Sequence, residues 1–410
     1  MNFLKYNKDD SLIRDGIILF SATMVGNVLG YLYHFYMGRV LGPADYGILG
    51  AILSLLYLIN VPVNVIQTTI TKFTSQFKAE KKTDKINSLL RSSFKKMLLF
   101  GIAGIFLFLL ITSFIADFLK IPRLPLLAFS PIILFALLMP VTRGILQGMQ
   151  LFKSLGLNII LEGLAKVTLG VGLVMLGFNV SGAISGIVLS FLLATLFAYK
   201  PLKKFLTKTK ETFSGTEIYK YSFPVFIALL LLTSFYTIDV LLVKHFFPEQ
   251  EAGYYAALSL IGKMIFFATF AIGNVMFPKV AEMHSLNKEN KHLLNKSLAL
   301  MALGSVAAVA VYFTLPTLIV SILFGKDYLT IVPLVGWIGI VMAFYSLTYL
   351  LSLYNLSVNK TKFIFILAVF LTAEAALIIT YHTTLEQIVK ILAGTMAILF
   401  LSMLAYTRST

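Results

Sequence analysis

The sequence predicts an all-α integral membrane protein with about twelve transmembrane helices. Of its 410 residues, 58% are hydrophobic and only 13% are charged, about half the charged fraction of a soluble domain. Mean hydropathy is +0.88. The apolar residues fall in runs of roughly 20, the length that crosses a bilayer as a helix, and short basic clusters separate the runs. No part of the chain is therefore expected to form a soluble domain.

Each predicted span is one such apolar run. The closest two are the fifth and the sixth, which only the segment 177–182 separates. The first run is too long for a cleavable signal peptide and has no A-x-A site, so we expect it to remain as a span. The predicted spans are residues 15–38, 46–70, 94–118, 126–147, 155–178, 180–199, 221–245, 252–276, 297–323, 329–355, 362–381 and 385–406.

The distribution of Lys and Arg predicts the orientation of these spans. The N-terminus, every second connection after it and the C-terminus hold 25 of these residues, against 5 in the alternate connections. Basic connections stay on the cytoplasmic side. We therefore expect a multi-pass protein of the cell membrane with both termini inside. The same distribution accounts for the excess of 34 basic over 18 acidic residues, so no nucleic-acid partner is expected.

An internal repeat with an offset of about 206 residues relates the two halves. Gly47 and Gly253 are 206 residues apart, and Lys153 and Lys360, each after the fourth span of its half, are 207 apart. Six helices in each half give both halves the same orientation, so the repeats are parallel and enclose a central cavity that alternating access can open to either side. The predicted six-helix bundles are residues 1–206 and 207–410.

Two short segments carry a resemblance to a known family. Residues 39–47, RVLGPADYG, resemble an R-x-L-G-x-x-x-Y-G motif, and residues 143–152, RGILQGMQLF, resemble R-G-x-x-Q-G-x-x-x-F. Both motifs are similar to those of Wzx-type polysaccharide flippases, which belong to the multidrug/oligosaccharidyl-lipid/polysaccharide (MOP) exporter superfamily and have a MATE-like fold. The resemblance implies translocation of lipid-linked oligosaccharide or polysaccharide repeat units from the cytoplasmic to the outer leaflet. It also implies contact with membrane lipids and with the glycosyltransferases or polymerase of polysaccharide assembly.

Charged and polar side chains inside the spans are the candidate substrate-binding residues. Polar residues three or four apart follow the first, second and fourth helices and their repeat partners, the seventh, eighth and tenth, which predicts a shared polar cavity. Arg143, Lys166 and Lys263 exceed the buried acids and suit the pyrophosphate of a lipid-linked oligosaccharide. Glu162 and Lys166 either neutralise each other or line the cavity, and Asp239 is a candidate partner for Lys263. The uncharged candidates are Asn27, Asn64, Gln67 and Gln147.

Other function classes fit less well. The absence of cysteine excludes disulfides and Cys-ligated metals. No Asp-x-Asp or Ser-His-Asp arrangement is present, so we expect no enzyme, catalytic residue, metal site or cofactor. Two transport alternatives remain: a cation-coupled multidrug or small-molecule antiporter that uses Asp239 and Glu162, and a lipid II-type cell-wall precursor flippase. Glu374, in the eleventh helix, lies outside the polar helices and has no predicted role.

Overall fold

A computed structural model describes the backbone of residues 8–205 and 216–409, and the side chains of residues 17–203 and 223–409. Within these ranges every regular element is helical. Short π and 3-10 segments occupy Val174–Phe178, Lys200–Phe205 and Lys326–Leu334. The α-helices are α1 Lys8–Ala79, α2 Thr83–Leu119, α3 Arg123–Phe129, α4 Ile132–Gly148, α5 Phe152–Leu173, α6 Asn179–Tyr199, α7 Thr216–Phe235, α8 Ile238–Phe246, α9 Glu249–Ser285, α10 Lys291–Thr314, α11 Pro316–Leu323, α12 Val335–Ser357, α13 Phe363–Thr380 and α14 Leu385–Ser409.

The helices are long and apolar enough for a membrane protein. Nine helical stretches of the described residues can each cross a membrane, and α7 with α8, bent by 40° at their junction, forms a tenth. Two of the nine, residues 17–79 and 152–203, contain 63 and 52 residues, more than twice the roughly 20 that one crossing needs. Each of these therefore holds two crossings, and every one of the twelve predicted spans falls on observed helix. The prediction of an all-α membrane fold is confirmed.

The two long stretches are divided by single backbone breaks where the sequence predicted short loops. In α1 the break is at Gly42, whose φ of 73° and ψ of 172° are not helical. Residues with a side chain rarely adopt this backbone conformation, so glycine suits the position. The second break lies at Gly177, with φ 90°, and Asn179, with φ 45°. The helices thus continue almost directly from one crossing into the next.

The chain forms two compact units. Unit 1 comprises Met1–Val40 and Ile59–Lys220, and unit 2 comprises Leu41–Leu58 and Tyr221–Thr410. The middle of α1 belongs to unit 2 because it packs closely on the start of α9. A Cβ atom on Gly253 would lie 1.7 Å from the carbonyl oxygen of Pro43, and one on Gly47 would lie 2.8 Å from the backbone nitrogen of Gly253. The two glycines that the repeat relates are therefore in backbone contact, which no larger residue permits.

Apolar side chains hold each unit together and also cover its outer faces. One core of unit 1 joins α1, α2, α4, α5 and the end of α6 through Ile70, Phe77, Ile86, Leu89, Leu90, Val141, Ile145, Leu146, Leu155, Ala198 and Leu202. Outside such cores, large hydrophobic side chains remain exposed along most helices, including Leu107, Phe114, Leu303 and Val306. Exposed apolar faces on this scale are unfavourable in water and favourable against lipid.

Candidate functional site

The charged residues of unit 1 meet where α4 and α5 run side by side after a tight turn. Arg143 of α4 donates from Nε to Oδ1 of Asn158 at 2.7 Å and from Nη2 to Oε2 of Glu162 at 2.5 Å. Asn158 is fully buried and donates from Nδ2 to the carbonyl oxygen of Ala194 in α6 at 2.6 Å. We call Arg143, Asn158 and Glu162 the arginine cluster. It ties three helices together and leaves the guanidinium with two partners.

Lys166 does not form the ion pair with Glu162 that its spacing on α5 suggests. The carboxylate of Glu162 is held by Arg143, with both side chains less than one-fifth exposed. The ammonium of Lys166 instead lies 5.6 Å from the ring centroid of Tyr33, a cation–π distance. Glu162 acts on it only through space. Among the described residues, no carboxylate lies within ion-pair distance of Lys166.

The uncharged candidates of unit 1 divide into two groups. Gln67 of α1 donates from Nε2 to Oε1 of Gln147 in α4 at 3.0 Å, and the hydroxyl of Thr71 contacts the same oxygen at 3.4 Å. These two glutamines therefore form one polar contact between helices. Asn27 and Asn64 are exposed on α1 and join neither this contact nor the arginine cluster.

The two charged candidates of unit 2 lie on consecutive helices, Asp239 on α8 and Lys263 on α9. Asp239 lies in the first turn of α8 and is 1% exposed, at a helix end that favours a negative charge. Tyr255 of α9 donates its hydroxyl to Oδ2 of Asp239 at 2.7 Å, and Oδ1 has no hydrogen-bond partner. The backbone N–H groups of Asp239 and Val240 at the start of α8 also act on this carboxylate, so only Oδ1 lacks a well-formed hydrogen bond.

Lys263 lies on α9, two turns after Tyr255, and is 4% exposed. Its ammonium lies 5.3 Å from the ring centroid of Tyr57 and 5.4 Å from that of Tyr236. Asp239 acts on Lys263 electrostatically, but the described side chains form no direct ion pair between the two. The predicted partnership of Lys263 with Asp239 is thus a through-space attraction, and the contacts of the ammonium are aromatic.

Glu374 is the charged residue that the sequence analysis left without a role. It is fully buried in α13, its Oε2 accepts a hydrogen bond from the Thr395 hydroxyl of α14 at 3.2 Å, and its Oε1 has no partner. Its carboxyl interacts electrostatically with that of Asp239. We call Asp239, Tyr255, Lys263, Glu374 and Thr395 the aspartate cluster.

The aspartate cluster can hold a small cation or a proton. Asp239 and Glu374 each present one oxygen without a hydrogen-bond partner, and a carboxylate buried in an apolar interior is stabilised when it binds a proton or a cation. A site for a transition metal is a different matter. Among the side chains that the structure describes, no three His, Asp or Glu residues come together as such a metal would require.

Several polar side chains of the tenth predicted span serve packing instead of a cavity. Ser352 donates to the carbonyl oxygen of Thr348, Asn355 donates to Leu351 and to the Thr407 hydroxyl, and Tyr345 donates to Leu232. All of these donors are buried. The donors of this series are therefore used in hydrogen bonds within and between helices, while the Thr348 hydroxyl and Oδ1 of Asn355 have no partner. Polar spacing alone does not distinguish such packing from a cavity lining.

Comparison with known proteins finds a matching family and a related membrane protein. Residues 12–284 match the family described as polysaccharide biosynthesis protein. A relative in Methanocaldococcus jannaschii, the uncharacterized membrane protein MJ1375, is 26% identical over 293 residues, which span 68% of this chain and 69% of that protein. The match supports a multi-pass membrane protein.

Solved structures share the fold at low sequence identity. An inward-facing MATE multidrug resistance transporter of the MOP superfamily has a TM-score of 0.76 at 12% identity, covering 96% of this chain and 98% of its own. The lipid II flippase MurJ in an inward closed conformation has a TM-score of 0.77 at 16% identity, covering 96% of this chain and 87% of its own. The predicted MATE-like fold is confirmed, and the family match supports the predicted membrane translocase. Because that match extends over well more than half of the sequence, the chain belongs to the polysaccharide biosynthesis protein family.

Proposed function

We propose that this chain translocates lipid-linked oligosaccharide or polysaccharide repeat units from the cytoplasmic to the outer leaflet of the cell membrane by alternating access. The family match supports a role in polysaccharide biosynthesis, and the fold is shared with a MATE multidrug transporter and with the lipid II flippase MurJ. The chemistry of the buried cations supports the choice of a phosphate-bearing substrate.

The observation that carries the proposal is a pair of membrane lysines without carboxylate partners. Lys166 in unit 1 and Lys263 in unit 2 each rest on tyrosine rings, and no acid of the described residues lies within ion-pair distance of either. An isolated ion inside a membrane costs roughly 3 kcal/mol or more. A pyrophosphate supplies the missing negative charge while its lipid tail remains in the bilayer. Arg143 is less available, because Asn158 and Glu162 already occupy its guanidinium.

The orientation in the membrane is part of the proposal. The basic connections face the cytoplasm, both termini lie inside, and the partners are the lipid-pyrophosphate-linked substrate and the glycosyltransferases or polymerase that make and use it. Cysteine labelling tests this in a chain with no native cysteine. Lys81→Cys, in the exposed turn between α1 and α2, is expected to resist an impermeant maleimide in intact cells and to react after lysis. Labelling in intact cells would reverse the orientation.

Transport by the reconstituted full chain tests the substrate class. The probe is a polyprenyl-pyrophosphate disaccharide in proteoliposomes, and flipping is followed by protection from an external glycosidase. Lys263→Gln is expected to reduce flipping at least tenfold, and Lys166→Gln to reduce it less, because its side chain is only half-buried. The control is Lys390→Gln, which removes an exposed lysine paired with Glu386 at 2.6 Å. Normal flipping by Lys263→Gln would rule out phosphate recognition at Lys263.

The acid pair of unit 2 favours a second candidate, a cation-coupled antiporter of small molecules. Such a carrier must protonate an acid or bind a cation there in every cycle, and Asp239 with Glu374 provides two unsatisfied carboxyl oxygens. The antiporter shares the fold of the proposed flippase but differs in its cargo. If the chain is an antiporter, the aspartate cluster is the coupling site, and Lys166 and Lys263 do not bind a phosphate group.

Glu374→Gln separates the two candidates. The amide keeps the size of the side chain and can still accept the hydrogen bond from Thr395, so folding is preserved, but it binds neither a proton nor a cation. For the flippase we expect the disaccharide lipid to be flipped down its own gradient by Glu374→Gln. The antiporter predicts efflux of a cationic dye driven by a proton or sodium gradient in the wild type and its loss in Glu374→Gln, with no disaccharide lipid flipped by either protein.

A further inference from the structure

Two pockets occupy corresponding places in the two repeats. In unit 1, α2 and the end of α6 enclose a pocket of about 400 Å³ lined by Leu90, Arg91, Phe94, Lys95, Leu98 and Tyr199. In unit 2, α10 and the ends of α12 and α14 enclose one of about 190 Å³ lined by Lys291, Leu294, Asn295, Leu298, Tyr354, Leu404, Thr407 and Arg408. Both lie between the third and the sixth span of a repeat, which are α2 and α6 in unit 1 and α10 and α14 in unit 2. Both are at the basic ends of these helices. The two pockets therefore lie between corresponding helices of the two repeats.

Each pocket combines a basic rim with an apolar wall. Along α10, Lys291 and Asn295 are one turn apart on the rim, with Leu294 and Leu298 one turn apart beside them. Along α2, Arg91 and Lys95 repeat the arrangement, with Leu90, Phe94 and Leu98 beside them. An i to i+4 spacing places each set on one side of its helix. A ligand of the pocket therefore meets positive charge at one end and hydrocarbon at the other.

The floor of the unit 2 pocket is already satisfied by hydrogen bonds. The buried hydroxyl of Tyr354 donates to Oδ1 of Asn290 at 2.6 Å. The buried hydroxyl of Thr407 donates to the carbonyl oxygen of Met403 and accepts from Asn355. These groups hold α10, α12 and α14 in place and do not need a ligand. The groups that remain available are the exposed side chains of the rim.

Positive charge is concentrated at this rim. Lys291 and Arg408 line the pocket, and Lys360 lies near Lys291: burial and then the Lys291 ammonium lower the pKa of Lys360. Glu289 is exposed in the same turn as Lys291, but in the part of the chain that the structure describes no acid forms an ion pair with any of the three cations. An anion is therefore the complementary ligand.

The surfaces next to the pockets identify the anion as part of a lipid. Beyond the unit 2 pocket, α10 exposes Leu303 and Val306 and α14 exposes Ile398 and Leu401. Beyond the unit 1 pocket, α2 exposes Leu99 and Ile102 and α6 exposes Leu193 and Leu196. A free phosphate would make no contact with these apolar faces, whereas the acyl chains of a lipid would pack against them. Basic pockets between membrane helices at the level of the headgroups are suited to anionic lipids.

We propose that the pocket formed by Lys291, Asn295 and Arg408 binds the phosphate headgroup of an anionic membrane phospholipid, with its acyl chains against α10 and α14, and that the pocket at Arg91 and Lys95 binds a second such lipid. Neither pocket includes a residue of the arginine cluster or the aspartate cluster. The lipid sites are thus independent of the proposed transport substrate. Their occupancy links the last helix of each repeat, α6 or α14, to the lipids beside it.

Native mass spectrometry of the full chain in detergent, titrated with dioleoyl phosphatidylglycerol or dioleoyl phosphatidylcholine, tests this. The wild type is expected to bind two phosphatidylglycerol molecules more tightly than phosphatidylcholine. Lys291→Gln with Arg408→Gln is expected to weaken one of them about 25-fold, since each basic residue near a headgroup contributes about fivefold. Arg91→Gln with Lys95→Gln is expected to weaken the other, and phosphatidylcholine binding is unchanged in both.

Two further variants keep the test decisive. Lys288→Gln with Lys362→Gln removes the same charge from exposed positions at the same end of unit 2 that do not line the pocket, and it is expected to leave both lipids bound. Lys291→Arg with Arg408→Lys keeps the charge and is expected to retain binding, which separates lost recognition from lost folding. Equal weakening by the Lys288/Lys362 control, equal affinity for phosphatidylcholine, or displacement of the lipid by millimolar inorganic phosphate would each overturn the proposal.

Discussion

The arginine cluster of unit 1 and the aspartate cluster of unit 2 both bury charge in apolar helices, but they satisfy it differently. In the arginine cluster, Arg143 donates hydrogen bonds to two acceptors, and the side-chain amide of Asn158 donates one to a third helix, α6. The ion pair is direct, with 2.5 Å between Arg143 and Glu162. This is the pattern of a cluster that fixes the packing of helices.

The aspartate cluster leaves groups unsatisfied. Asp239 and Glu374 each bury an oxygen with no hydrogen-bond partner, and Lys263 rests on rings instead of a carboxylate. Native proteins bury few such groups, and those that remain call for an explanation such as an unseen ion or a catalytic or binding role. The difference teaches that buried charge alone does not single out a candidate site. A buried charge with incomplete hydrogen bonds is the better candidate, because it retains capacity for a ligand.

The largest expected effect on stability comes from breaking the arginine cluster. Arg143→Gln leaves the Glu162 carboxylate without its cation between α4 and α5, and we expect the free energy of unfolding to fall by about 3 kcal/mol. The measurement is SDS titration of the purified protein in mixed micelles. The exposed Lys390–Glu386 pair provides the control, because Lys390→Gln is expected to cost less than about 1 kcal/mol.

A double variant sharpens this result. Arg143→Gln with Glu162→Gln removes both charges and is expected to recover a large part of the stability lost by Arg143→Gln alone. If the double variant were less stable than the single one by the full cost of a second substitution, the two side chains would not be coupled. The arginine cluster would then be no better paired than its counterpart in unit 2.

A smaller loss is expected when the aspartate cluster is cut. Asp239→Asn replaces a charged acceptor of the Tyr255 hydroxyl by a neutral one and leaves Lys263 without its electrostatic partner, so we expect a loss of about 2 kcal/mol in the same SDS titration. Asp239→Asn with Lys263→Gln is expected to recover stability, while its flipping stays as low as that of Lys263→Gln alone. A loss from Asp239→Asn as large as that from Arg143→Gln would break the comparison, because it would make Asp239 as fully paired as Arg143.

The helices could be predicted from the sequence because span length and apolar composition depend on the bilayer and little else. The partner of Glu162 could not. Spacing along α5 pointed to Lys166, one turn away, whereas the ion pair is with Arg143 on the preceding helix. Which of two nearby cations a carboxylate meets depends on how α4 and α5 rotate against each other. That rotation is set by packing, which a single sequence does not display.

Glu374 shows a signal that was present but not used. It is the only charged residue in α13, FIFILAVFLTAEAALIIT, and a lone acid within a span is costly enough to indicate function. The search for polar residues three or four apart passed over it because α13 has no such series. The same search favoured Ser352 and Asn355, whose hydrogen bonds are structural. In this chain the isolated charge of α13 is thus a better candidate for a site than the hydroxyls and amides of α12.

The smallest effect concerns the rings beneath the two lysines. Among the described side chains, Lys263 lies over two rings, those of Tyr57 and Tyr236, and Lys166 lies over one, that of Tyr33. Tyr57→Leu removes one ring from Lys263, whereas Tyr57→Phe keeps it and serves as the control. Since Tyr57→Leu also removes the contact between the Tyr57 and Tyr236 rings, 5.7 Å apart, its stability loss by itself does not measure the cation–π interaction.

A double-mutant cycle isolates that interaction. Tyr57→Leu is made in the wild type and in Lys263→Gln, and the ring–ring loss, present in both backgrounds, cancels. We expect a coupling of about 1 kcal/mol between Tyr57 and Lys263, with Tyr57→Phe showing almost none. The cycle with Tyr33→Leu and Lys166→Gln is expected to give a smaller coupling, because the Lys166 side chain as a whole is more exposed than that of Lys263. Zero coupling at Tyr57 would mean that its ring does not stabilise the charge of Lys263, and the buried ammonium would then need the acids of unit 2 or a bound anion throughout the transport cycle.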